Sequence, residues 1–394
     1  MGWPRVLIAG GSIGGLTTGV LLSELGCDVE IYERSDRDLE DRGAGIVVLP
    51  VTERYFEQGD GSGPKRVSLE LTYWNYVDAS GTTIASHEDH FRFSGWSTIY
   101  RALLDVFDSG SYHYDHEVIG LTQLDDGVSL EFGNGSRADG DMAVFADGMN
   151  STGRSILLPE VVPEYAGYVA WRGTVPEGHL SPETQETVAD AMVYQVLDHG
   201  HILVYAIPGP TGDTEPPNRV INFVWYRNYP TGGPFENLMT DAGGGRRTGT
   251  MPPGQIRPEH LAELHSTATE VLAPQMSEIV LACGSPLIQA VFDVASPRMA
   301  FDRTCLLGDA ATTLRPHVAA GQAKACADAW ALRDALAATH GHVLEALALW
   351  EPVQLDLART ALARTRQMGI ASQYEGSMQP GDPDWKFGLW EPGN

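Results

Sequence analysis

Lysine is scarce in this chain of 394 residues: only Lys65, Lys324 and Lys386 occur, and the formal net charge is −26. That balance argues against nucleic acid or an anionic membrane as partner, because phosphate recognition needs a basic surface. No apolar run approaches the roughly 18 residues of a membrane span, and the N-terminus enters a strand at Arg5 without a charged-then-apolar leader. A cytoplasmic protein is therefore expected. The four cysteines, Cys27, Cys283, Cys305 and Cys326, include no CxxC pair and read as buried free thiols. Internal repeats and low-complexity tracts are also lacking. The histidine pairs His87/His90, His113/His116 and His199/His201 have no third ligand at a diagnostic spacing, so no metal is expected.

What is present is a chain with 43% hydrophobic residues, long enough for about two or three domains. The opening RVLIAGGSIGGLTTGVLLSELGCDVEIYE reads as strand, Gly-rich turn, helix with Leu16, Val20 and Leu25 in phase, and second strand. The spacing Gly10-x-Ser12-x-x-Gly15 supplies a tight turn, a small residue for close approach of a pyrophosphate, and a helix start whose free N–H groups face it. Serine replaces the usual middle glycine, and its hydroxyl can still donate to phosphate. Glu33 ends the second strand, where a carboxylate accepts from ribose hydroxyls.

Two later strands also end in acidic turns. FADGMNSTGRS at 145–155 carries Asp147-Gly148, and GDAATTLRPHVAAGQAKAC at 308–326 carries Gly308-Asp309. The second passage wanders, nearly uncharged, through Arg315, Pro316 and His317 before a helix begins near Gly321. A turn needs only a few residues, so this length reads as a ligand cradle, with Asp309 holding a polyol hydroxyl. Between these signals lie the aromatic, β-branched runs 168–175, 192–197, 201–207 and 220–226, which predict a mostly antiparallel sheet. The passages 59–64, 209–218, 230–234 and 241–254 read as loops, the last long and polar enough to be mobile. The expected organisation is a discontinuous nucleotide-binding domain (1–60, 98–162 and 288–345), an inserted sheet domain (61–97 and 163–287) and a helical segment (346–394).

In the order of its three turns the chain resembles the class A FAD-dependent aromatic hydroxylases, the para-hydroxybenzoate hydroxylase-like family. The matches are Gly10 to Gly15, Asp147-Gly148, and Gly308-Asp309 with Pro316 and Gly321. Further segments, GIVVLP at 45–50, EYAGYVAWRG at 164–173 and GDPDWKFGL near the end, are similar to members that hydroxylate hydroxypyridines. The resemblance covers nearly the whole chain. It implies an α/β, Rossmann-like (GR2-type) FAD-binding domain with an inserted, mostly antiparallel substrate sheet and C-terminal helices.

The resemblance also implies contacts. FAD would be held with its pyrophosphate at Ser12, Ile13, Gly14 and Gly15, its adenosine ribose on Glu33, and its ribityl chain near Asp309. Arg34, Arg101, Asp147 and Gly308 join the cofactor contacts, and Gly45, within GAGI at 43–46, would permit close approach of a moving flavin. Pro316 would lie against the ring, with the backbone of Ala320, Gly321, Gln322 and Ala323 at its pyrimidine edge, where the helix dipole favours negative charge. Much of the family has histidine and asparagine where this chain has Thr312 and Ala323, so backbone N–H groups are expected to hold that edge.

The reaction implied is hydroxylation of an electron-rich hydroxypyridine or pyridone. NADH or NADPH reduces FAD, and O₂ is carried to the ring through a flavin C4a-hydroperoxide. His317 and Tyr205 are candidates to accept the substrate hydroxyl proton, beside Pro316. The aromatic runs YWNY at 73–76 and VWY at 224–226 are expected in the core, with a pocket role as the alternative. Other readings are a monooxygenase of a phenolic or polyketide ring, an FAD-dependent oxidase, and a flavin-binding protein without catalysis. A halogenase is disfavoured because no WxWxIP-like segment occurs. The partners expected are a small aromatic substrate, O₂ and NAD(P)H, and homo-oligomers are compatible with this reading.

Overall fold

The computed structural model describes residues 2–39, 44–57, 63 and 67–393. Gly43, Lys65 and most of the passage 59–64 lie outside them. The apolar run RVLIA forms strand β1 (Arg5–Ala9), buried from Val6 onward. After the glycine turn, helix α1 (Ile13–Leu25) stops at Gly26, whose φ of 104° gives the left-handed cap that ends a helix at little steric cost. Strand β2 (Asp28–Tyr32) then pairs in parallel with β1, Val6 opposite Val29 and Ile8 opposite Ile31.

The strands that follow are β3 (Gly45–Val48), β4 (Leu69–Val77), β5 (Thr83–Gly95) and β6 (Tyr112–His113). Next come β7 (Val118–Gln123), β8 (Val128–Phe132) and β9 (Arg137–Gly140), a small separate sheet of polar-alternating strands that the sequence reading did not foresee. Then come β10 (Met142–Phe145), β11 (Glu164–Pro176), β12 (Ala191–Leu197), β13 (Gly200–Ile207) and β14 (Val220–Asn228). The last are β15 (Thr250–Met251), β16 (Leu287–Asp293), β17 (Ala300–Phe301) and β18 (Thr304–Leu306).

Two larger sheets result. One runs β17-β18-β10-β1-β2-β6, parallel except for the β17–β18 hairpin. It is the Rossmann-like sheet, covered by α1 and by helix α3 (Gly321–Ala338), with α2 (Trp96–Leu104) also against α1 and α4 (Val343–Ile370) behind α3. The other runs β15-β16-β11-β14-β13-β12-β4-β5-β3 and is antiparallel except where β12 meets β4. Each sheet organises its own apolar core. Trp74 and Tyr76 of the YWNY run are buried in the core of the large sheet.

Sheet membership moves two of the expected boundaries. β3 pairs with β5, and β16 with β11, so residues 45–48 and 287–293 belong to the large sheet. The reason is non-local: both segments are short runs whose strand partners lie far away in sequence. The passage 241–254 is organised rather than loose. The Asp241 carboxylate takes the Gly243 and Gly245 N–H groups at 3.0 and 2.7 Å and the Arg247 guanidinium at 2.9 Å. All four cysteines are buried and free.

Candidate active site

The carboxyl ends of β1, β2, β10 and β18 open into one cavity of about 610 Å³. The chain crosses β1 here from one side of the sheet to the other, and open α/β sheets place ligands at that switch point. Gly10, Glu33, Asp147, Gly308 and Asp309 line the cavity from these strand ends. Gly10 has φ 100°, and a Cβ there would sit 2.5 Å from the Ala146 carbonyl oxygen. A Cβ on buried Gly15 would sit 1.9 Å from the Gly10 oxygen, so only glycine lets α1 start this close to the strand.

Two helix N-termini face the same space. At α1 neither the Ser12 side chain nor any first-turn acid caps the free N–H groups, and Ser12, Ile13 and Gly14 line the cavity. At α3 the Ala320 methyl at the cap position accepts no hydrogen bond, and Gly321 and Gln322 line the cavity. A Cβ on Gly321 would meet nothing within 4 Å. Exposed first-turn amides at both sites make them acceptor-seeking surfaces.

The three acids are held differently. The buried Glu33 carboxylate accepts from Gly11 N at 2.9 Å and Ser35 N at 3.0 Å, leaving lone pairs on both oxygens. Asp147 Oδ2 accepts from Thr152 N and Gly153 N at 2.7 and 3.2 Å, while its buried Oδ1 has no partner among the described residues. Burial raises the Asp147 carboxyl above its ordinary range. Burial also pushes Asp309 up to about 6, against the pull of Lys324 and Arg154. Arg154, itself buried, ties the two acidic turns together by donating to the carbonyls of Met149 and Ala310.

The opposite wall is a face of the large sheet. Alternate residues of a strand share a face, which puts His201, Leu203 and Tyr205 of β13 side by side. Register then sets His201 opposite Tyr226, and Tyr226 opposite Ala170. Leu203 lies opposite Val224, and Val224 opposite Arg172. Every one of these residues lines the cavity, as do Pro316 and His317 from the passage before α3. Arg172 donates to the Gly45 carbonyl at 2.6 Å and to Gln289 Oε1 at 3.0 Å. Gly45 donates its N–H to Asn222 at 2.8 Å.

Three comparisons with known proteins bear on this site. The FAD binding domain-like family model matches residues 165–293. The 2,6-dihydroxypyridine 3-monooxygenase of Paenarthrobacter nicotinovorans is 36% identical over 98% of this chain and 96% of its own length. The solved structure of 2,6-dihydroxypyridine-3-hydroxylase from Arthrobacter nicotinovorans superposes with a TM-score of 0.92 at 36% identity, covering 98% of this chain and 97% of that one. The chain belongs to the FAD-dependent aromatic hydroxylases. A more distant relative, the 6-hydroxynicotinate 3-monooxygenase of Bordetella bronchiseptica, is 26% identical over 83% of this chain and 81% of its own length.

FAD is accordingly the cofactor of this hydroxylase, with NAD(P)H as its reductant, and the residues present fit FAD. The cavity offers uncapped amides for a pyrophosphate and a pyrimidine edge, lone pairs on Glu33, and an orphaned buried oxygen on Asp147. Most residues expected to contact FAD line the cavity, including Arg34 and Gly45. Four do not: Gly15, Ala320 and Ala323 are buried behind it, and Arg101 lies exposed on α2.

Of the catalytic candidates, Tyr205 is pushed up to about 12 by burial, with Arg172 pulling the other way. It keeps its proton at neutral pH. His317 is 5% exposed, and burial first, then His201 and Arg315, depress its imidazole far below the ordinary range. Its Nε2 lies 2.7 Å from the Tyr168 hydroxyl, and its Nδ1 has no partner among the described residues.

The sequence reading missed Arg172, Arg154 and the pocket role of His201, while Val224 and Tyr226 of the VWY run take the cavity position that was its alternative to the core. The usable signal was strand parity: in HILVYAI the residue sharing a face with Tyr205 is His201, two steps beyond Leu203.

Proposed function

We propose that this FAD-dependent hydroxylase adds oxygen to a hydroxypyridine or pyridone ring. The observation that carries this reading is the wall opposite the FAD-binding strand ends, an apolar surface of Tyr194, Tyr226, Leu203 and Val224 set with two uncharged imidazoles. A small heteroaromatic ring suits it, and the relatives above are named for hydroxypyridine substrates. When bound, FAD reduced by NAD(P)H would activate O₂ for attack by an electron-rich ring.

The chain's own residues bind, orient and exclude water. Ser12 to Gly14 would hold the pyrophosphate by their amides, Glu33 the ribose, and Asp309 the ribityl hydroxyls. Pro316 would give the flavin a rigid apolar face, and Gly45 leaves room beside Tyr205 and Asn222. A Cβ at Gly45 would come within 2.6 Å of Asn222 and 2.8 Å of Tyr205. The sheet roof keeps water from the reacting centre, where it would divert oxygen to peroxide.

The test is an absorbance spectrum of the purified protein, followed by NADH and NADPH oxidation with a panel of hydroxypyridines and phenols, quantifying product and peroxide. Flavin bands, substrate-stimulated oxidation and an oxygenated pyridine are the expected result. An oxygenated phenol with untouched pyridines would transfer the activity to the phenolic class, and peroxide without product would sink the hydroxylation reading. Within this scheme Tyr205→Phe is expected to leave kcat close to wild type, rather than bring the roughly 10²–10⁴-fold loss that follows removal of a general base. A stopped-flow rate of product formation reads this directly, and a hundredfold drop would restore Tyr205 as proton acceptor.

A further inference from the structure

The two imidazoles on the sheet side carry definite proton positions. His201 Nδ1 lies 2.7 Å from the Ser372 hydroxyl, whose oxygen already accepts from Gln373 Nε2 at 3.0 Å. Among the described residues His201 Nδ1 is the one acceptor beside the serine proton, so the hydroxyl donates to Nδ1 and the imidazole proton stays on Nε2. No hydrogen-bond partner meets that Nε2 among the described residues, and His201 lines the cavity.

His317 follows the same logic. The Tyr168 hydroxyl sits beside the Arg315 guanidinium, whose carbon is 5.8 Å from the phenol ring and which only donates. Among the described residues the one acceptor within reach of the Tyr168 proton is His317 Nε2, at 2.7 Å. The His317 proton then resides on Nδ1, the nitrogen left without a partner. The ring centres of His201 and His317 are 5.4 Å apart, close enough for both to meet one planar ring.

We infer that His201 and His317 form a two-donor pocket that binds the substrate as its ring-oxygen anion, through His201 Nε2–H and His317 Nδ1–H. The inference rests on the hydroxylation of a hydroxypyridine argued above and changes the role of His317 from proton acceptor to donor. The ring hydroxyl leaves its proton with bulk water on entry, so no side chain has to take it. A ring anion is more nucleophilic than the neutral ring, which is what attack on activated oxygen requires. Two preorganised donors in a dry site stabilise such charge strongly.

The surroundings agree with a fixed, uncharged donor pair. Burial lowers His201 to about 3 and His317 far below its usual range, so neither gains a second proton at working pH. Tyr168, Tyr194 and Tyr226, which pack around them, are all raised by burial and stay protonated. The guanidinium groups of Arg172 and Arg315 add positive potential on this side, and Arg315 is itself held by Asp293 at 2.8 Å. The carboxyl groups of Asp147 and Asp309 lie at the strand ends.

The test measures binding of 2,6-dihydroxypyridine and of its dimethyl ether to the oxidised, FAD-loaded protein without nicotinamide, following the flavin band across pH. The dissociation constant of the hydroxypyridine should fall as pH rises toward the ligand's own pKa and then level, while the ether binds weakly and without pH dependence. His201→Leu and His317→Leu should each weaken the anion roughly 10- to 100-fold, the loss of a hydrogen bond to a charged group. His201→Gln and His317→Gln, which keep an N–H donor but cannot titrate, should retain most of the anion preference and of product yield per NAD(P)H. If FAD retention suffers in the leucine variants, the wild-type pH profile and the glutamine variants still decide.

Equal or tighter binding of the neutral ligand in wild type would overturn the pocket. So would glutamine variants as defective in product formation as the leucine ones, which would return a proton-accepting role to these histidines. Hydroxylation accompanied by neutral binding would remove this inference alone. Failure of every hydroxypyridine to bind or react would remove the substrate reading beneath it as well.

Discussion

Lys324→Met is expected to destabilise the protein by about 3–5 kcal/mol at neutral pH, the usual result of removing one partner from a buried ion pair. Lys324 Nζ lies 2.6 Å from Asp328 Oδ2, and the two side chains are 1% and 0% exposed. They stand one turn apart on α3, directly behind the cradle, and the same Oδ2 accepts the Gly308 N–H at 2.8 Å. Methionine fills the lysine stem but leaves Asp328 charged in a dry site. That carboxyl is already raised by burial, with Lys324 as the main opposing influence, so the variant pushes it higher still. A carboxyl whose folded pKa lies above its unfolded value loses stability as pH rises from the unfolded value, about 4. The deficit should therefore be small near pH 4 and full at pH 8, a trend that denaturant unfolding at the two pH values would resolve. Adding Asp328→Asn removes the orphaned charge, keeps an acceptor for Gly308, and should recover most of the loss. A cost below about 1 kcal/mol, unchanged with pH, would mean that the pair is solvated in the native state.

The N-terminal half of this site was legible because its constraints are local. Gly10, Ser12, Gly15 and Glu33 are fixed by one βαβ unit whose strand period, helix period and turn residues agree within about thirty positions. The late cradle was legible for a different reason: a long uncharged passage between a buried strand and a helix has no structural need to be there. The wall opposite was legible only in single residues such as Tyr205 and His317, because its assembly depends on register. His201, Tyr226 and Ala170 come together only when β13, β14 and β11 pair as they do, and periodicity gives the face of one strand, not its alignment with another. Arg154 and Lys324 escaped for a third reason. Each is a buried cation whose partners lie on other turns or a helical turn away, and a basic residue in isolation reads as surface. Lysine's scarcity in the chain leaves Lys324 conspicuous only after its partner is seen.

Asp309→Asn should show two effects of opposite sign. FAD affinity is expected to fall roughly 10- to 100-fold, the value of a charge-assisted hydrogen bond to a cofactor hydroxyl. The FAD-free protein, by contrast, should become more stable at pH 7 by about 1–2 kcal/mol. The second sign follows from the folded-state pKa. Burial holds Asp309 near about 6, above the ordinary 3.8, so the folded chain binds the proton more tightly and the ionised carboxylate opposes folding as pH rises between those values. Access of cavity solvent keeps the gain below the full value of the shift. The same titration should appear in the wild-type affinity, which weakens below about pH 6 as the carboxylate protonates, whereas the asparagine variant loses that slope. Fluorescence titration of FAD at pH 5 and 7.5, with thermal unfolding of the FAD-free proteins, reads all three quantities. Wild-type affinity in the variant would remove Asp309 from the cofactor contacts. A stability loss in place of a gain would show that Lys324 and Arg154 already compensate its charge in full, and the cradle would then be a settled ion network instead of a carboxylate kept ionised for its ligand.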